Sequence, residues 1–294
     1  MIEFLENDKL RVKVKVIGAE LCGIYSNRYS CEYIWQAREA WRSYAPNLFP
    51  IVGQLKEEKF FFNKTAYKME RHGFARKRLF KLLLIKPDEI ELEITDDETT
   101  LTQYPFYFKY NVHYLLLDNK VVVTYTVTNN SPDAMYFSVG GHPAFNVPFN
   151  EDEGYDDYFL KFEKPEKLEH FPIKDNLLVT KPLKLKTEVG PEGNALLPLR
   201  KKLFENDALV FKQLKSREVS LCSKKNEQQV TVRFQDFKHL GIWAAKNADF
   251  VCIEPWLGLA DSENATQDIT KKESIITLEG HRSFSCKYEI EVSA

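Results

Sequence analysis

The sequence predicts an all-β chain folded as a large antiparallel β-sandwich with few short helices. Apolar and polar residues alternate over many segments, beginning with residues 10–16, where Leu10 and Val12 flank Arg11. Strict alternation is typical of a strand with one buried face and one solvated face. Helical periodicity is scarce, and strands that follow one another without helices between them exclude a doubly wound α/β fold.

Each predicted element rests on its own local pattern. In chain order, the predicted strands cover residues 10–16, 90–94, 106–117, 120–128, 229–234, 274–278 and 284–292. Asp118 and Asn119 tolerate a left-handed turn, which predicts a hairpin between the third and fourth of these strands. The best helical candidate, residues 37–45, is short and ends at Pro46.

The organisation of the chain predicts one domain. All-β sandwiches commonly exceed two hundred residues as a single unit, and no internal repeat or low-complexity linker divides residues 1–294. The stretch 161–199 is rich in proline and charge, which is typical of long surface loops. We therefore expect a single β-sandwich domain over residues 1–294.

Charge and composition narrow the class of protein. The 294 residues include 41 basic and 43 acidic side chains, a formal net charge of -2. A dedicated nucleic-acid or membrane-surface binder usually carries a basic excess, so neither partner is expected. Aromatic residues reach 13% (Phe 21, Tyr 14, Trp 4), which fits strands and also fits sugar-binding surfaces.

The cysteines and the N-terminal residues indicate in which cellular compartment the protein is expected. Five scattered cysteines form no CxxC pair, which argues against a zinc site or a disulfide framework. Glu3, Glu6 and Asp8 stand where a signal peptide needs a basic start. No stretch approaches the roughly 20 apolar residues that span a bilayer. These features lead us to expect a soluble, cytoplasmic protein.

Four segments break the strand pattern with glycine, proline and isolated functional groups. They are residues 45–55, 71–76, 140–146 and 253–261. Local departures of this kind are expected at functional sites.

Three of those segments supply residues able to do proton chemistry. Taken alone, His72 and His142 are more often core histidines bonded to a carbonyl, and Glu254 in its apolar run fits a structural ion pair equally well. Taken together, two histidines and one carboxylate fit either a metal triad or an acid/base site.

The broken segments also carry a resemblance. The recurring blocks are GAEL (18–21), EYIW (32–35), APNLFPIVG (45–53), HGFAR (72–76), GGHPAFN (140–146), LGIW (240–243) and IEPWLGLAD (253–261). In this order the chain resembles the aldose 1-epimerases, or galactose mutarotase-like proteins, and in particular their LacX-like bacterial branch. The resemblance implies a galactose mutarotase-like supersandwich whose concave face binds a monosaccharide, with no metal and no other cofactor.

The resemblance also implies roles for single residues. Glu254 resembles the general base that takes the proton from the anomeric hydroxyl. His142 resembles the general acid that protonates the ring oxygen, and His72 resembles a second histidine that holds the sugar. A histidine with a reference pKa of about 6.5 can donate near neutrality, and a carboxylate of about 4.3 can accept.

Further residues are expected to bind the sugar. They are Asp207, Gln54, Arg71, Arg76, Phe74 and Trp256. Gln54 stands where relatives often have arginine, and it lacks the charge and fork geometry of that side chain. Arg71 or Arg76 could take its place. Phe74 and Trp256 are expected to stack on the sugar because they neighbour proposed site residues, whereas packing between sheets is favoured for the other tryptophans.

Three functions remain open at this point. The first is a mutarotase for free hexoses such as glucose or galactose, with a monosaccharide as partner and a homodimer left open. The second is a hexose-6-phosphate 1-epimerase, since Arg71, Arg76 and residues 77–78 form a basic cluster beside His72. The third is a non-catalytic carbohydrate-binding protein or sensor, which Gln54 would favour.

Overall fold

The computed structural model describes residues 1–294 and is built almost entirely from strands. The strands are β1 (Ile2–Glu6), β2 (Leu10–Lys15), β3 (Glu20–Ser26), β4 (Cys31–Glu32), β5 (Asn47–Leu48), β6 (Lys59–Phe62), β7 (Thr65–Lys68), β8 (Lys81–Lys86), β9 (Glu89–Thr95), β10 (Phe108–Leu117), β11 (Lys120–Asn129), β12 (Met135–Phe137), β13 (Val139–Gly141), β14 (Ala144–Asn146), β15 (Tyr158–Phe162), β16 (Glu169–His170), β17 (Ile173–Lys174), β18 (Leu177–Leu178), β19 (Leu183–Lys184), β20 (Glu188–Val189), β21 (Ala195–Pro198), β22 (Leu209–Phe211), β23 (Glu218–Ser223), β24 (Gln229–Arg233), β25 (His239–Trp243), β26 (Phe250–Leu257), β27 (Ile276–Leu278) and β28 (Ser283–Val292). The single α-helix is α1 (Glu98–Gln103), and short 3-10 helices cover Lys56–Glu58, Ala75–Lys77, Tyr155–Asp157, Lys201–Phe204 and Ile269–Lys271. The predicted all-β class is confirmed.

Two large antiparallel sheets form the body of the fold. The ten-stranded sheet has the order β20-β21-β15-β23-β24-β28-β11-β10-β9-β8. The six-stranded sheet has the order β22-β25-β26-β13-β5, with β14 also paired to β26. A four-stranded sheet, β1-β2-β3-β4, and four two-stranded ladders complete the structure. Successive strands mostly pair as neighbours, as short connections favour.

The six-stranded sheet packs directly on the ten-stranded one. The Phe49 ring, which follows β5, stacks on Tyr110 of β10 with centroids 4.5 Å apart. The backbone of Gly141 in β13 lies so close to β28 that a Cβ there would come 2.7 Å from the Tyr288 hydroxyl. All eight residues of β26 are buried, as expected for a strand covered on both faces. Most of the aromatic excess therefore serves the interior between the sheets.

The predicted hairpin is confirmed, and the predicted helix is wrong. Strands β10 and β11 pair in the expected register, with Leu117 opposite Lys120. Residues 37–45 form turns rather than a helix, and Ala37 has a φ of 47°. The Trp35 indole N–H donates to the carbonyl oxygen of Trp41 at 2.8 Å, which ties this segment to the sheet instead.

Other expectations can be compared directly with the structure. The stretch 161–199 is not only loops, since it holds the whole of β16 to β21. All five cysteines are free and buried, which agrees with the absence of a disulfide framework. No helix has the length and apolar character needed to cross a membrane.

A buried asparagine connects the segment after β4 to the ten-stranded sheet. The amide nitrogen of Asn47 donates to the carbonyl oxygens of Gly18 (3.0 Å) and Ala19 (2.6 Å) and lies 3.2 Å from the Tyr114 hydroxyl oxygen. Its amide oxygen accepts from the Tyr125 hydroxyl at 2.7 Å. Fully satisfied buried networks of this kind hold a single backbone arrangement.

Replacing this residue should destabilise the protein. We expect Asn47→Ala to lower the free energy of unfolding by about 3 kcal/mol, because it leaves the buried Tyr125 hydroxyl and the Gly18 carbonyl group without their partners. Asn111→Ala is the matched control, since its half-buried amide bonds only surface carboxylates. Urea denaturation followed by tryptophan fluorescence measures both, and equal losses would contradict the role given to Asn47.

Candidate active site

A cavity on the six-stranded sheet gathers most of the predicted site residues. Its volume is about 150 Å³, and it lies over β26 and its neighbours β13 and β25. The predicted residues that line it are Gln54, Arg71, His72, Arg76, His142, Asp207, Glu254 and Trp256. Segments far apart in sequence therefore meet at one place on the sheet.

Glu254 and His142 form the centre of this cavity. Glu254 lies in the middle of β26 with 1% of its side chain exposed, and His142 follows β13 with 10% exposed. The Nε2 atom of His142 is 3.1 Å from the Glu254 Oε2 atom, and this carboxylate oxygen has no aligned hydrogen-bond donor. The two groups therefore lie next to each other, without a hydrogen bond, where little water reaches them.

Burial pushes both members of the pair toward their uncharged forms. It lowers the pKa of His142 to about 3, with the positive charges of Arg76 and Arg71 acting in the same direction. It raises the pKa of Glu254 well above its usual range, and the Asp207 carboxylate adds to that rise. Burial therefore favours the uncharged form of each group, a neutral imidazole beside a protonated carboxyl group.

The backbone of Gly53 orients the His72 ring. His72 has a φ of 66°, and its N–H donates to the Gly53 carbonyl oxygen at 2.9 Å. In return, the Gly53 N–H donates to His72 Nδ1 at 3.1 Å. Burial, then the charges of His142, Arg76 and Arg71, hold the pKa of His72 well below its usual value. The neutral ring therefore carries its proton on Nε2 and offers a donor rather than a base.

Two glycines on flanking strands make room for the Trp256 indole. A Cβ atom at Gly140 would lie 2.8 Å from Cδ1 of this ring, and one at Gly241 would lie 2.6 Å from Cζ2. Gly140 is directly opposite Trp256 in the ladder between β13 and β26. The glycines in GGHP and LGIW thus let the indole lie across the neighbouring strands. Its Nε1 atom has no partner in the protein.

The aromatic walls differ from those the sequence predicts. Trp41 and Trp243 line the cavity rather than the space between the sheets. Trp41 stacks on His142 with ring centroids 5.0 Å apart, and Trp243 meets the same ring edge-on at 5.7 Å. Phe74 does not line the cavity: it is 4% exposed and packs in the core against Phe49. The short helix that follows it turns its ring inward, while His72 faces the cavity.

The predicted basic cluster divides into two parts. Arg71 and Arg76 line the cavity, whereas Lys77 pairs with Glu70, and Arg78 pairs with Asp97 outside it. Both cavity arginines are partly neutralised.

Each of these two arginines has its own polar neighbours. Arg71 donates to the Asn176 amide oxygen at 2.5 Å and lies 3.8 Å from Asp207. Arg76 donates to the Arg71 carbonyl oxygen at 3.1 Å and lies 3.4 Å from Glu70. Sequence reasoning missed Asn176, which belongs to the stretch that it predicted as surface loops.

A buried ion pair supports the loop that carries Gln54. The Lys272 ammonium lies 2.5 Å from Asp261 Oδ1, and both side chains are almost completely buried. The Asp261 N–H donates to the Gln54 carbonyl oxygen at 2.8 Å, and its Oδ2 accepts from the Lys56 N–H at 3.0 Å. The Gln54 side chain makes only a long contact, 3.4 Å to the Leu55 carbonyl oxygen. Its amide is therefore available to a ligand.

The only metal-ligating set at this site contains the central pair. Ligand atoms of His142, Cys252 and Glu254 all lie within 4.8 Å of one another. Nitrogen, sulfur and oxygen donors of this kind suit Zn²⁺. Burial, and then the Glu254 carboxylate, hold the pKa of the Cys252 thiol well above its usual value, which opposes the thiolate that a metal needs. Binding an ion here would also occupy both proton-carrying groups.

Known proteins are similar to this chain in sequence and in fold. The family model described as Aldose 1-epimerase matches residues 2–274. The plasmid form of protein LacX from Lactococcus lactis subsp. lactis is 34% identical over 270 residues, covering 88% of each chain. The X-ray structure of a galactose mutarotase related enzyme from Lactobacillus acidophilus is 32% identical, with a TM-score of 0.93 over 100% of this chain and 98% of that one. A galactose mutarotase-like protein from Lactobacillus casei is 29% identical, with a TM-score of 0.89 over 100% of both chains. The chain belongs to the aldose 1-epimerase family.

Proposed function

We propose that the protein is a mutarotase that interconverts the α and β anomers of a free hexose such as glucose or galactose. The observation that carries this proposal is the Glu254–His142 pair, with 3.1 Å between carboxylate oxygen and imidazole nitrogen in an aromatic-walled cavity. Anomer exchange needs one proton removed from the C1 hydroxyl and one added to the ring oxygen. A carboxyl group and an imidazole that lie side by side in the cavity can do both.

The steps follow from the two protonation states of the pair. Moving the proton from Glu254 to His142 produces a carboxylate base and an imidazolium acid without changing the net charge of the pair. Glu254 then accepts the proton of the C1 hydroxyl, and His142 donates its proton to the ring oxygen. The bond between C1 and the ring oxygen breaks, which gives the open aldehyde. Rotation about the C1–C2 bond and closure with reversed roles yield the other anomer.

The remaining cavity groups are suited to holding a neutral sugar. His72 offers an Nε2–H donor, because its Nδ1 accepts from Gly53. Trp41, Trp243 and Trp256 offer apolar surface to the ring faces of a pyranose. Positioning of this kind brings reacting groups together and lowers the barrier further.

A hexose 6-phosphate is the second candidate substrate. It is favoured by the two guanidinium groups of Arg71 and Arg76 on the cavity wall. Asp207 and Glu70 lie close to these groups and offset much of their charge. We therefore place free hexoses first, and comparing rates on glucose and glucose 6-phosphate decides between them.

Anomer exchange across a sugar panel tests the proposal. Wild-type protein should accelerate the exchange, measured by polarimetry and by NMR exchange spectroscopy. Glu254→Gln should lower kcat by at least about 100-fold, because one positioned proton carrier contributes roughly 10² to 10⁴ in rate. Glu279→Gln, at an exposed carboxylate, is the matched control. Saturable sugar binding with no rate above buffer on any sugar would favour the non-catalytic alternative.

The same substitution should raise stability in a pH-dependent way. Because the pKa of Glu254 is raised in the folded state, the native protein holds a proton that the unfolded chain releases above about pH 4. The free energy of unfolding of the wild type, relative to that of Glu254→Gln, should thus fall as pH rises. The fall is about 1.4 kcal/mol for each pH unit between the unfolded and the folded pKa of Glu254. Urea denaturation at pH 4, 6 and 8 measures the difference, and a constant difference would contradict a desolvated Glu254.

Proton transfer by this pair leaves no task for a metal. Treatment with EDTA should leave the anomer-exchange rate unchanged, because an ion on His142 and Glu254 would occupy both proton carriers. The measurement is the rate before and after chelation and dialysis, with the metal content checked by mass spectrometry. Loss of activity that returns with added Zn²⁺ would overturn the acid/base mechanism.

A further inference from the structure

A two-residue hairpin forms one wall of the cavity. Strands β17 and β18 pair through Ile173 opposite Leu178, and their turn consists of Asp175 and Asn176. These turn residues have φ values of 50° and 67°. Two left-handed residues in succession match a type I′ turn, the tight hairpin turn that asparagine and aspartate tolerate. The turn therefore presents Asn176 from a defined backbone.

This hairpin is fixed to the loop that follows Glu254. The Leu178 N–H donates to the Asp261 carbonyl oxygen at 2.8 Å, and the Val179 N–H donates to the Pro172 carbonyl oxygen at 2.8 Å. Leu178 also belongs to a small buried cluster that includes Trp256, separate from the main core. Backbone hydrogen bonds and apolar packing thus hold the hairpin against the residues that surround the cavity.

Arg71 determines which way the Asn176 amide is turned. Its guanidinium donates to Asn176 Oδ1 at 2.5 Å, so the amide nitrogen is on the other side of the group. The two N–H donors of that nitrogen have no acceptor in the protein, and Asn176 lines the cavity. An amide held by its oxygen, with both donors open, is arranged to bind an acceptor on a ligand.

We propose that Asn176 is a specificity-determining residue that donates from Nδ2 to one sugar hydroxyl other than the anomeric one. This inference rests on the proposed function. Glu254 and His142 already serve C1 and the ring oxygen, and Asn176 is hydrogen-bonded to neither of them. The sugar hydroxyl that Asn176 contacts is therefore one that takes no part in the reaction. Sites that hydrogen-bond a substrate hydroxyl discriminate against analogues lacking it.

The test compares two substitutions in the same turn. Asn176→Gly removes the amide and keeps a residue that accepts positive φ, and Asp175→Gly is its matched control because Asp175 does not line the cavity. We expect Asn176→Gly to raise KM about three- to tenfold, the effect of one neutral hydrogen bond, with kcat changed by less than about twofold. Asp175→Gly should change neither.

Deoxy sugars identify the hydroxyl that Asn176 contacts. The KM penalty of Asn176→Gly should disappear on the one deoxy sugar that lacks this hydroxyl and persist on the others. An equal penalty on every sugar, or a KM within twofold of the Asp175→Gly protein on all of them, would overturn the proposal.

A double-mutant cycle separates direct binding from positioning of Arg71. If Asn176 contacts the sugar itself, Asn176→Gly raises KM again in an Arg71→Ala background. No further rise in that background would show that Asn176 acts only through Arg71, and the proposal would fail. Sugar dissociation constants from NMR titration replace KM if the wild type shows no turnover. A wild type without turnover would overturn the proposed function, and the dissociation constants would still decide the role of Asn176.

Discussion

The burial of a carboxyl group beside an imidazole, Glu254 and His142, in a sheet whose central strand is fully buried is the constraint on which this structure depends. Placing Glu254 in a strand whose eight residues are all buried costs free energy, since an ionised carboxylate cannot be solvated there. Burial therefore raises the pKa of Glu254 and favours its protonated, uncharged form. In the mechanism that we propose, the same desolvation prepares both groups for proton transfer, so the fold must exclude water from them and keep them close together.

One segment connects this constraint to the rest of the molecule. Asn47 joins residues 45–55 to the tyrosines of the ten-stranded sheet. Farther along, Gly53 fixes the tautomer of His72, and the Gln54 carbonyl oxygen accepts from Asp261. The large sheet therefore positions the cavity through a chain of buried hydrogen bonds, which tolerate little adjustment once every partner is satisfied.

Local sequence patterns predicted the features that depend on residues close together in the chain. Alternation predicted strands, and the breaks in that alternation that contain glycine or proline marked Glu254, His142 and His72. Which face a ring takes depends on packing between distant segments, so Phe74 was assigned to the cavity although it lies in the core.

The missed hairpin shows a different limit. Its Asp175–Asn176 turn has the same residue pair as the turn at 118–119, which was recognised. Its strands of two residues each are too short for any alternation to be visible.

The proposed reaction and the proposed sugar recognition would depend on different kinds of structure. Glu254 and His142 lie in or directly after sheet strands, where a change of position would disturb both large sheets. Asn176 lies on a turn whose left-handed backbone favours asparagine, aspartate and glycine, and Arg71 contacts it from another segment. Because Asp207 and Glu70 already offset the cavity arginines, an uncharged sugar can bind without breaking an ion pair, whereas a phosphate would compete with both carboxylates. If both proposals hold, Asn176→Gly would change substrate choice while the proton chemistry of Glu254 and His142 stays as it is.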